Sequence, residues 1–280
     1  MTEQAVDLSV VVVNWNGGEG LQACLRSVRA AAQGLSAEIW LVDNASTDAS
    51  AGAAVRSFPA LRLIQNRENA GFACAANQAL SQASGIFVLL LNPDAQIGAE
   101  ALARLLEVMR GDPSIGIAGC SSVDREGRRV PGYETSFPGQ RRRIVPQASR
   151  PGRDVAWVSG ACLLARRALC DQIGLLDPGF FMYYEDVDWC CRARAAGWRV
   201  VTVPEAEVRH DLGGSARRVP PAETARRTAS SRLRFYRKHC SPARARWLAF
   251  RTAASDSARR LRQLGRRVRL PQTNHPGEAQ

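Results

Sequence analysis

The 280-residue chain is 45% hydrophobic and 23% charged, an ordinary globular composition that can bury a sizeable core in one large domain or two small ones. Its net charge of +12 is unevenly spread: residues 216–270 hold 17 Lys/Arg against two acids, whereas residues 1–215 hold 21 basic and 23 acidic residues. The nearly neutral body argues against a nucleic-acid-binding core, which would carry a basic face on the fold itself, and the longest apolar run, Ile86–Leu91, is too short to span a bilayer.

In chain order, the Val-rich run Leu8–Val13 reads as a strand buried on both faces. A helix is expected over Glu19–Ala32, a strand over Glu38–Val42, and a helix over Thr47–Phe58 with Ser46 or Thr47 as its N-cap. Leu61–Ile64 is a short strand, Phe72–Ala83 an Ala-rich helix and Ile86–Leu91 another apolar strand. Strands alternating with helices at this spacing predict an α/β fold, a mostly parallel sheet with right-handed crossovers and flanking helices. After a helix over Gly98–Arg110 the regularity loosens, and residues 124–154, rich in Arg, Gly and Pro, read as one long loop. Val155–Ala165 returns to strand. A helix follows near Arg167, an acidic helix begins near Glu185, and Trp198–Val203 and Ala206–Val208 are short strands. Beyond Ser215 the pattern becomes Arg-rich helix.

None of the eight cysteines forms a C-x-x-C pair, so neither a zinc site nor a thioredoxin motif is indicated, and most read as small buried hydrophobes in a reducing compartment. The N-terminus lacks a basic stretch followed by a long apolar one, so no signal peptide is expected. A cytoplasmic protein able to touch a membrane follows.

Polar clusters follow four successive strands: Asn14-Trp15-Asn16-Gly17, Asp43-Asn44-Ala45-Ser46-Thr47-Asp48, Asn66 with Asn69-Ala70-Gly71, and Asn92-Pro93-Asp94. One such cluster is commonly turn chemistry. Four at the carboxyl ends of an open parallel sheet point to one shared site able to hydrogen-bond a nucleotide. No G-x-G-x-x-G and no Walker A lysine loop occurs, so a glycine-rich cradle is not the grip, and a metal on a diphosphate is the natural substitute. The segment FFMYYEDVDWCCRARAAGWRVVTVPEAEVRH, residues 180–210, sets Glu185, Asp186 and Asp188 at a helix start beside aromatics and closes a strand with His210. Acids beside aromatics suit general-base work and a strand-end histidine suits metal ligation. A first helical turn favoured by the macrodipole, plus a surface histidine, fits the segment equally well. Asp188 and Arg192 are spaced for a structural ion pair.

The order and spacing of VVVNWNG (around 10–17), VDNASTD (42–48), NAGFACAAN (69–77), LLLNPDA (89–95), SGACLLARR (159–167), FFMYYEDVDWCCR (180–192) and the GW…H close (197–210) make the chain resemble the family 2 glycosyltransferases of the GT-A fold, in their bacterial rhamnosyltransferase-like branch. The resemblance covers residues 8–215. It implies a GT-A Rossmann-like domain that moves a sugar, rhamnose by the branch, from a nucleoside-diphosphate donor of dTDP or UDP type, with inversion, to a glycan or lipid-linked acceptor in bacterial surface-glycan assembly. Asp43 matches the acid that recognises the base, and Asn14, Asn44, Asn69 and Gly71 lie in segments lining the nucleotide. Asp94 matches the last acid of the DXD metal motif, with Asn92 where the first acid usually stands. His210 matches a histidine that completes metal coordination. Asp186 matches the catalytic base, and Glu185 either orients the acceptor or caps the helix. The implied cofactor is Mn²⁺ or Mg²⁺, and a histidine ligand tilts the choice toward Mn²⁺.

The domain layout expected is 1–215 for the catalytic domain, 216–270 for an Arg-rich helical extension and 271–280 for a disordered tail. Within Ser241–Leu270 an apolar stripe from Trp247 to Val268, set among arginines, reads either as a membrane-surface helix or as one packed on its own protein. Two rivals remain at this level. A sugar nucleotidyltransferase would want a basic Gly-rich loop after the first strand, and NWNGGEG has none. A non-enzymatic binding protein would act through the basic tail.

Overall fold

A computed structural model describes residues 6–140, 142–145, 150–211 and 219–252. By compactness the chain divides into two units, Met1–Arg232 and Leu233–Gln280. The first unit opens with β1 (Leu8–Asn14), α1 (Gly18–Ala31), β2 (Ala37–Asp43), α2 (Ser50–Ser57), β3 (Arg62–Gln65), α3 (Phe72–Leu80) and β4 (Phe87–Leu91). Every residue of β1 and β4 is buried, as the unbroken apolar runs require of strands covered on both faces. The helices bury one stripe each; in α1 it is Leu21, Cys24, Leu25 and Val28.

There follow β5 (Ala95–Ile97), α4 (Ala99–Gly111), β6 (Ile115–Val123), the short β7 (Arg129–Val130), β8 (Tyr133–Glu134), β9 (Arg153–Asp154) and β10 (Trp157–Val158), then β11 (Cys162–Arg166), α5 (Arg167–Ile173), α6 (Glu185–Ala195), β12 (Arg199–His210) and α7 (Pro221–His239). The large sheet runs β3-β2-β1-β4-β11-β6-β12-β5. The β3-β2-β1-β4 half is parallel, β11 is antiparallel to both neighbours, and β12 is parallel to β6 but antiparallel to β5. The result is a mixed, mostly parallel sheet flanked by helices.

The sequence reading passes over β6, which is central and almost wholly buried. Its small residues carry little strand propensity, yet the packing demands them. A Cβ on Gly116 would lie 2.4 Å from Leu169 Cδ1, and one on Gly119 would lie 2.5 Å from Val158 Cβ. The strand expected over Val155–Ala165 is broken at residues 159–161 into β10 and β11. The loop expected over 124–154 contributes β7, β8 and β9. The two strands expected near 198–208 are one strand, β12, with a register shift between Val203 and Glu207 where Pro204 interrupts pairing with β6. Arg199 anchors the start of β12 through Asp154 (3.0 and 2.8 Å) and Asp112 (2.9 Å).

Among the cysteines, Cys24, Cys120, Cys162, Cys170 and Cys190 are buried, and none of the eight is in a disulfide. Asp188 is fully buried and bonds Arg192 at 2.8 Å; the same guanidinium caps the carbonyls of Ile173 and Leu175. In the second unit α7 ends at His239 and residues 242–252 are helical. Trp247 and Phe250 are 50% and 73% exposed there, with the Arg251 guanidinium 4.7 Å from the Trp247 ring. The rest of the expected Ser241–Leu270 helix, and the 271–280 tail, lie outside the described residues.

Candidate active site

The carboxyl ends of β1, β2 and β4 open into a cleft of about 250 Å³. Its wall includes Trp15, Asn44, Asn69, Gly71, Asn92, Asp94, Glu185, Asp186 and His210. Eight of the ten residues singled out from sequence therefore meet in one place. The other two, Asn14 and Asp43, are buried, 0% and 2% exposed. The Asn14 amide nitrogen sits 2.9 Å from Asp43 Oδ1, 3.0 Å from Ser46 Oγ and 2.9 Å from Ser50 Oγ. These contacts make Asn14 the hub that fastens the loop after β1 to the loop after β2.

Ser46 and Thr47, expected to cap a helix, serve the same fastening. Ser46 Oγ accepts from Asn16 N–H at 2.8 Å, and Thr47 N–H donates to Asn16 Oδ1 at 2.7 Å. The helix α2 consequently begins only at Ser50. Asn44 carries the chain of contacts to the next loop. Its amide donates to Asn69 Oδ1 at 2.9 Å, and its Oδ1 accepts from Ala70 N–H at 3.0 Å. Ala45 holds φ +63° to make this turn.

Gly71 has φ +85°, and a Cβ there would stand 2.5 Å from the Phe181 carbonyl oxygen. What approaches this glycine is therefore the backbone of the 180–184 turn, fixed by the Phe72 N–H to Phe181 O bond of 2.7 Å. Tyr183 and Tyr184 both adopt left-handed φ, +69° and +70°. Two consecutive bulky residues in that region store strain, and they do so immediately before Glu185 and Asp186.

Asp186 is gripped at both oxygens. Gly160 N–H donates to Oδ2 and Val187 N–H to Oδ1, each at 2.8 Å. Gly160 sits in the break between β10 and β11, so that break serves the carboxylate. Burial raises the proton affinity of Asp186, and the backbone N–H groups work against the rise. Glu185 is pushed well above the ordinary carboxylate range, by burial first and by the charge of Asp186 second. Its Oε2 has no partner among the described residues. The two backbone N–H donors favour the charged form of Asp186, whereas burial of Glu185, with Oε2 lacking a partner, favours its neutral form.

Elsewhere on the cleft wall, His210 Nε2 lies 3.1 Å from Asp94 Oδ1 and 3.4 Å from the Asn92 amide nitrogen. Pairing of His210 with Ala95 across β12 and β5 sets this proximity. No group of three or more His, Cys, Asp or Glu spaced for a metal occurs among the described residues, so a cation here would have these two as its protein ligands.

The sequence singles out neither Gly160 nor Arg227 as a cleft residue, and Trp15 only as part of a cluster. Gly160 lies inside the SGACLLARR motif. Arg227, on α7, was hidden in the basic stretch assigned to an appendage. It stands in the first compact unit, which runs to Arg232 and thus past the expected boundary at 215.

A profile of the family described as "Glycosyltransferase like family 2" matches residues 5–246. An N-acetylglucosaminyl-diphospho-decaprenol L-rhamnosyltransferase of Mycobacterium tuberculosis is 30% identical, over 96% of this chain and 99% of its own length. Among solved structures, a mannosyltransferase from Pyrobaculum calidifontis in complex with GDP-Man and Mn²⁺ is similar with a TM-score of 0.58 at 19% identity, over 90% of this chain and 81% of that one. Residues 1–349 of TarS from S. aureus, in complex with UDP, give 0.58 at 19%, over 87% and 70%.

Proposed function

The chain belongs to glycosyltransferase family 2 and is a glycosyltransferase with the GT-A fold, and from that premise we propose an inverting transfer in which Asp186 is the base. The observation that carries the reading is one cleft holding both the Asp186 carboxyl, gripped by two backbone N–H donors, and the Asp94–His210 pair. The acceptor hydroxyl binds beside Asp186, which takes its proton. The hydroxyl oxygen bonds to the anomeric carbon as the bond to the diphosphate breaks, and the electron pair leaves on the phosphate oxygen. Burial makes Asp186 a stronger base than a solvated carboxylate, and burial likewise favours the neutral form of Glu185, which limits competing charge.

Asp94 and His210 fit a divalent cation. Ligand bonds of about 2.1 Å at right angles put two ligand atoms about 3.0 Å apart, and the observed separation is 3.1 Å. One carboxylate and one imidazole leave the other positions to donor phosphate and water, as Mn²⁺ or Mg²⁺ accept. When bound, such an ion would offset the charge growing on the departing diphosphate. Asn92, in place of an acid, adds no charge to the set.

The donor assigned is a nucleoside-diphosphate sugar held by Asn44, Asn69 and Trp15, with Asn14 and Asp43 ordering that wall. By likeness to the mycobacterial relative we assign a rhamnosyl group to the donor and an acceptor sugar on a lipid diphosphate; the nucleotide we assign is of dTDP or UDP type. No helix among the described residues is long and apolar enough to cross a membrane. Exposed Trp247 and Phe250 beside arginines support peripheral contact with an anionic leaflet. The extension making that contact then begins after Arg232. A panel of nucleotide sugars, offered with a prenyl-diphosphate-linked sugar, tests the reading. One donor should be consumed, with the product anomer opposite to that of the donor; retention of configuration would sink the mechanism.

A further inference from the structure

The cleft must host phosphate, yet its wall carries the carboxyls of Asp94, Glu185 and Asp186. Arg227 is the only Arg or Lys among the described residues lining it. Its Nε donates to Glu223 Oε1 at 2.8 Å. Glu223 also receives Arg226 through Nε and Nη2 at 2.8 and 2.9 Å, so one carboxylate serves two guanidiniums and the trio keeps a net positive charge. The Arg227 guanidinium carbon lies over the Phe181 ring, 4.6 Å from its centre, which restrains the group. Nη1 and Nη2 make no bond to any described residue. At 26% side-chain exposure the group is partly withdrawn from water, where an ion pair gains strength.

Its place in the cleft is decided by what it touches. One turn further along α7, Ser231 Oγ donates to the Met182 carbonyl at 2.8 Å. Arg227 and Ser231 thus both attach to the turn that delivers Glu185 and Asp186. A donor diphosphate belongs with Asp94 and His210. A phosphate belonging to the acceptor would enter with the hydroxyl, on the Asp186 side.

We infer that Arg227 is a specificity residue that binds the phosphate adjoining the accepting sugar, its two terminal amino groups presented as a planar fork by Glu223 and Phe181. The inference rests on the sugar-transfer reading above and deepens it: the acceptor class is a glycosyl phosphate or diphosphate, and the residue that reads the phosphate is named.

Two acceptors decide the matter, N-acetylglucosaminyl diphosphate on a short prenyl chain and the same sugar on a neutral octyl chain. The wild-type enzyme should prefer the first. Arg227→Gln should lose about 10- to 100-fold in kcat/KM on the first, chiefly through KM. It should leave the octyl glycoside and the dissociation constant of the nucleotide-sugar donor unchanged. Arg227→Lys, which keeps the charge without the fork, should fall between, and it supplies the same comparison if the Gln variant does not fold. Equal losses on both acceptors would make Arg227 a mere prop for Phe181, weakened donor binding would assign it to the donor diphosphate, and no wild-type preference would remove the phosphate contact; each overturns the inference. Transfer by the wild-type enzyme to neither acceptor would instead overturn the acceptor reading itself, and this inference with it.

Discussion

Asp186→Asn keeps the size of the side chain and removes its charge. In the wild-type cleft, Gly160 and Val187 each donate a backbone N–H to a separate oxygen of Asp186 at 2.8 Å. An amide has one acceptor oxygen, so one of these N–H groups must face an NH₂ instead. A buried N–H left unpaired costs about 1–3 kcal/mol. Against that, the variant no longer buries a negative charge, which desolvation disfavours in the folded protein. The two effects oppose, and net stability should change by less than about 2 kcal/mol. The chemistry has no such offset, because an amide cannot accept the hydroxyl proton. Turnover should fall at least about 100-fold, equivalent to about 2.7 kcal/mol on the barrier. Initial transfer rates at saturating donor, donor affinity and thermal unfolding should be measured on the same preparations. A variant that unfolds normally, binds donor normally and turns over within a few-fold of wild type would refute Asp186 as the base.

Glu185 binds its proton more tightly folded than unfolded, so its contribution to stability is full below its ordinary value of 4.5 and is lost as pH rises through the raised folded value. Glu185→Gln should therefore be more stable than wild type at pH 8, with the gap closing toward pH 4.5 in urea unfolding; a gap independent of pH would contradict the burial argument. Gly71→Ala forces φ +85° on a side chain and drives its Cβ to 2.5 Å from Phe181 O. It should cost about 3 kcal/mol and slow transfer through the displaced turn, and unaltered unfolding and activity would show that the turn yields freely. Chelation should abolish transfer and Mn²⁺ or Mg²⁺ restore it, with His210→Ala raising the ion concentration needed for half activity. Full activity in chelator excludes the site. Vesicle co-sedimentation should require anionic lipid and weaken with salt, each basic residue near the leaflet adding about 1 kcal/mol. It should drop in Trp247→Ser/Phe250→Ser, and undiminished sedimentation of that double variant would deny these side chains a role.

The parallel half of the sheet was readable because β1 and β4 announce burial on both faces through unbroken apolar runs, and because polar clusters punctuate the strand ends. What escaped was set by contacts distant in sequence. β6 carries Gly116 and Gly119 because Leu169, Trp198 and Val158 crowd it, and composition alone makes such a strand look like loop. Residues 159–161 leave the sheet to meet Asp186, a contact across 26 residues. Asn14 and Asp43 belonged to the right cluster, but only the packing shows that they are buried and bonded to each other. Arg227 was obscured by its charge, which matched the arginines around it. A truncation after Ser215, which the charge distribution suggests as a clean cut, would remove both Arg227 and Ser231 from the catalytic unit.

The irregularity in β12 acts as an expansion joint. On one side the strand is clamped by Arg199 and by pairing with β9; on the other, Val208–His210 are registered against β5. Residues 204–206 belong to neither register. A residue gained or lost there can be taken up locally while His210 stays opposite Ala95. The same change between Glu207 and His210 would reverse the odd–even phase of the strand and turn the imidazole to the other face of the sheet.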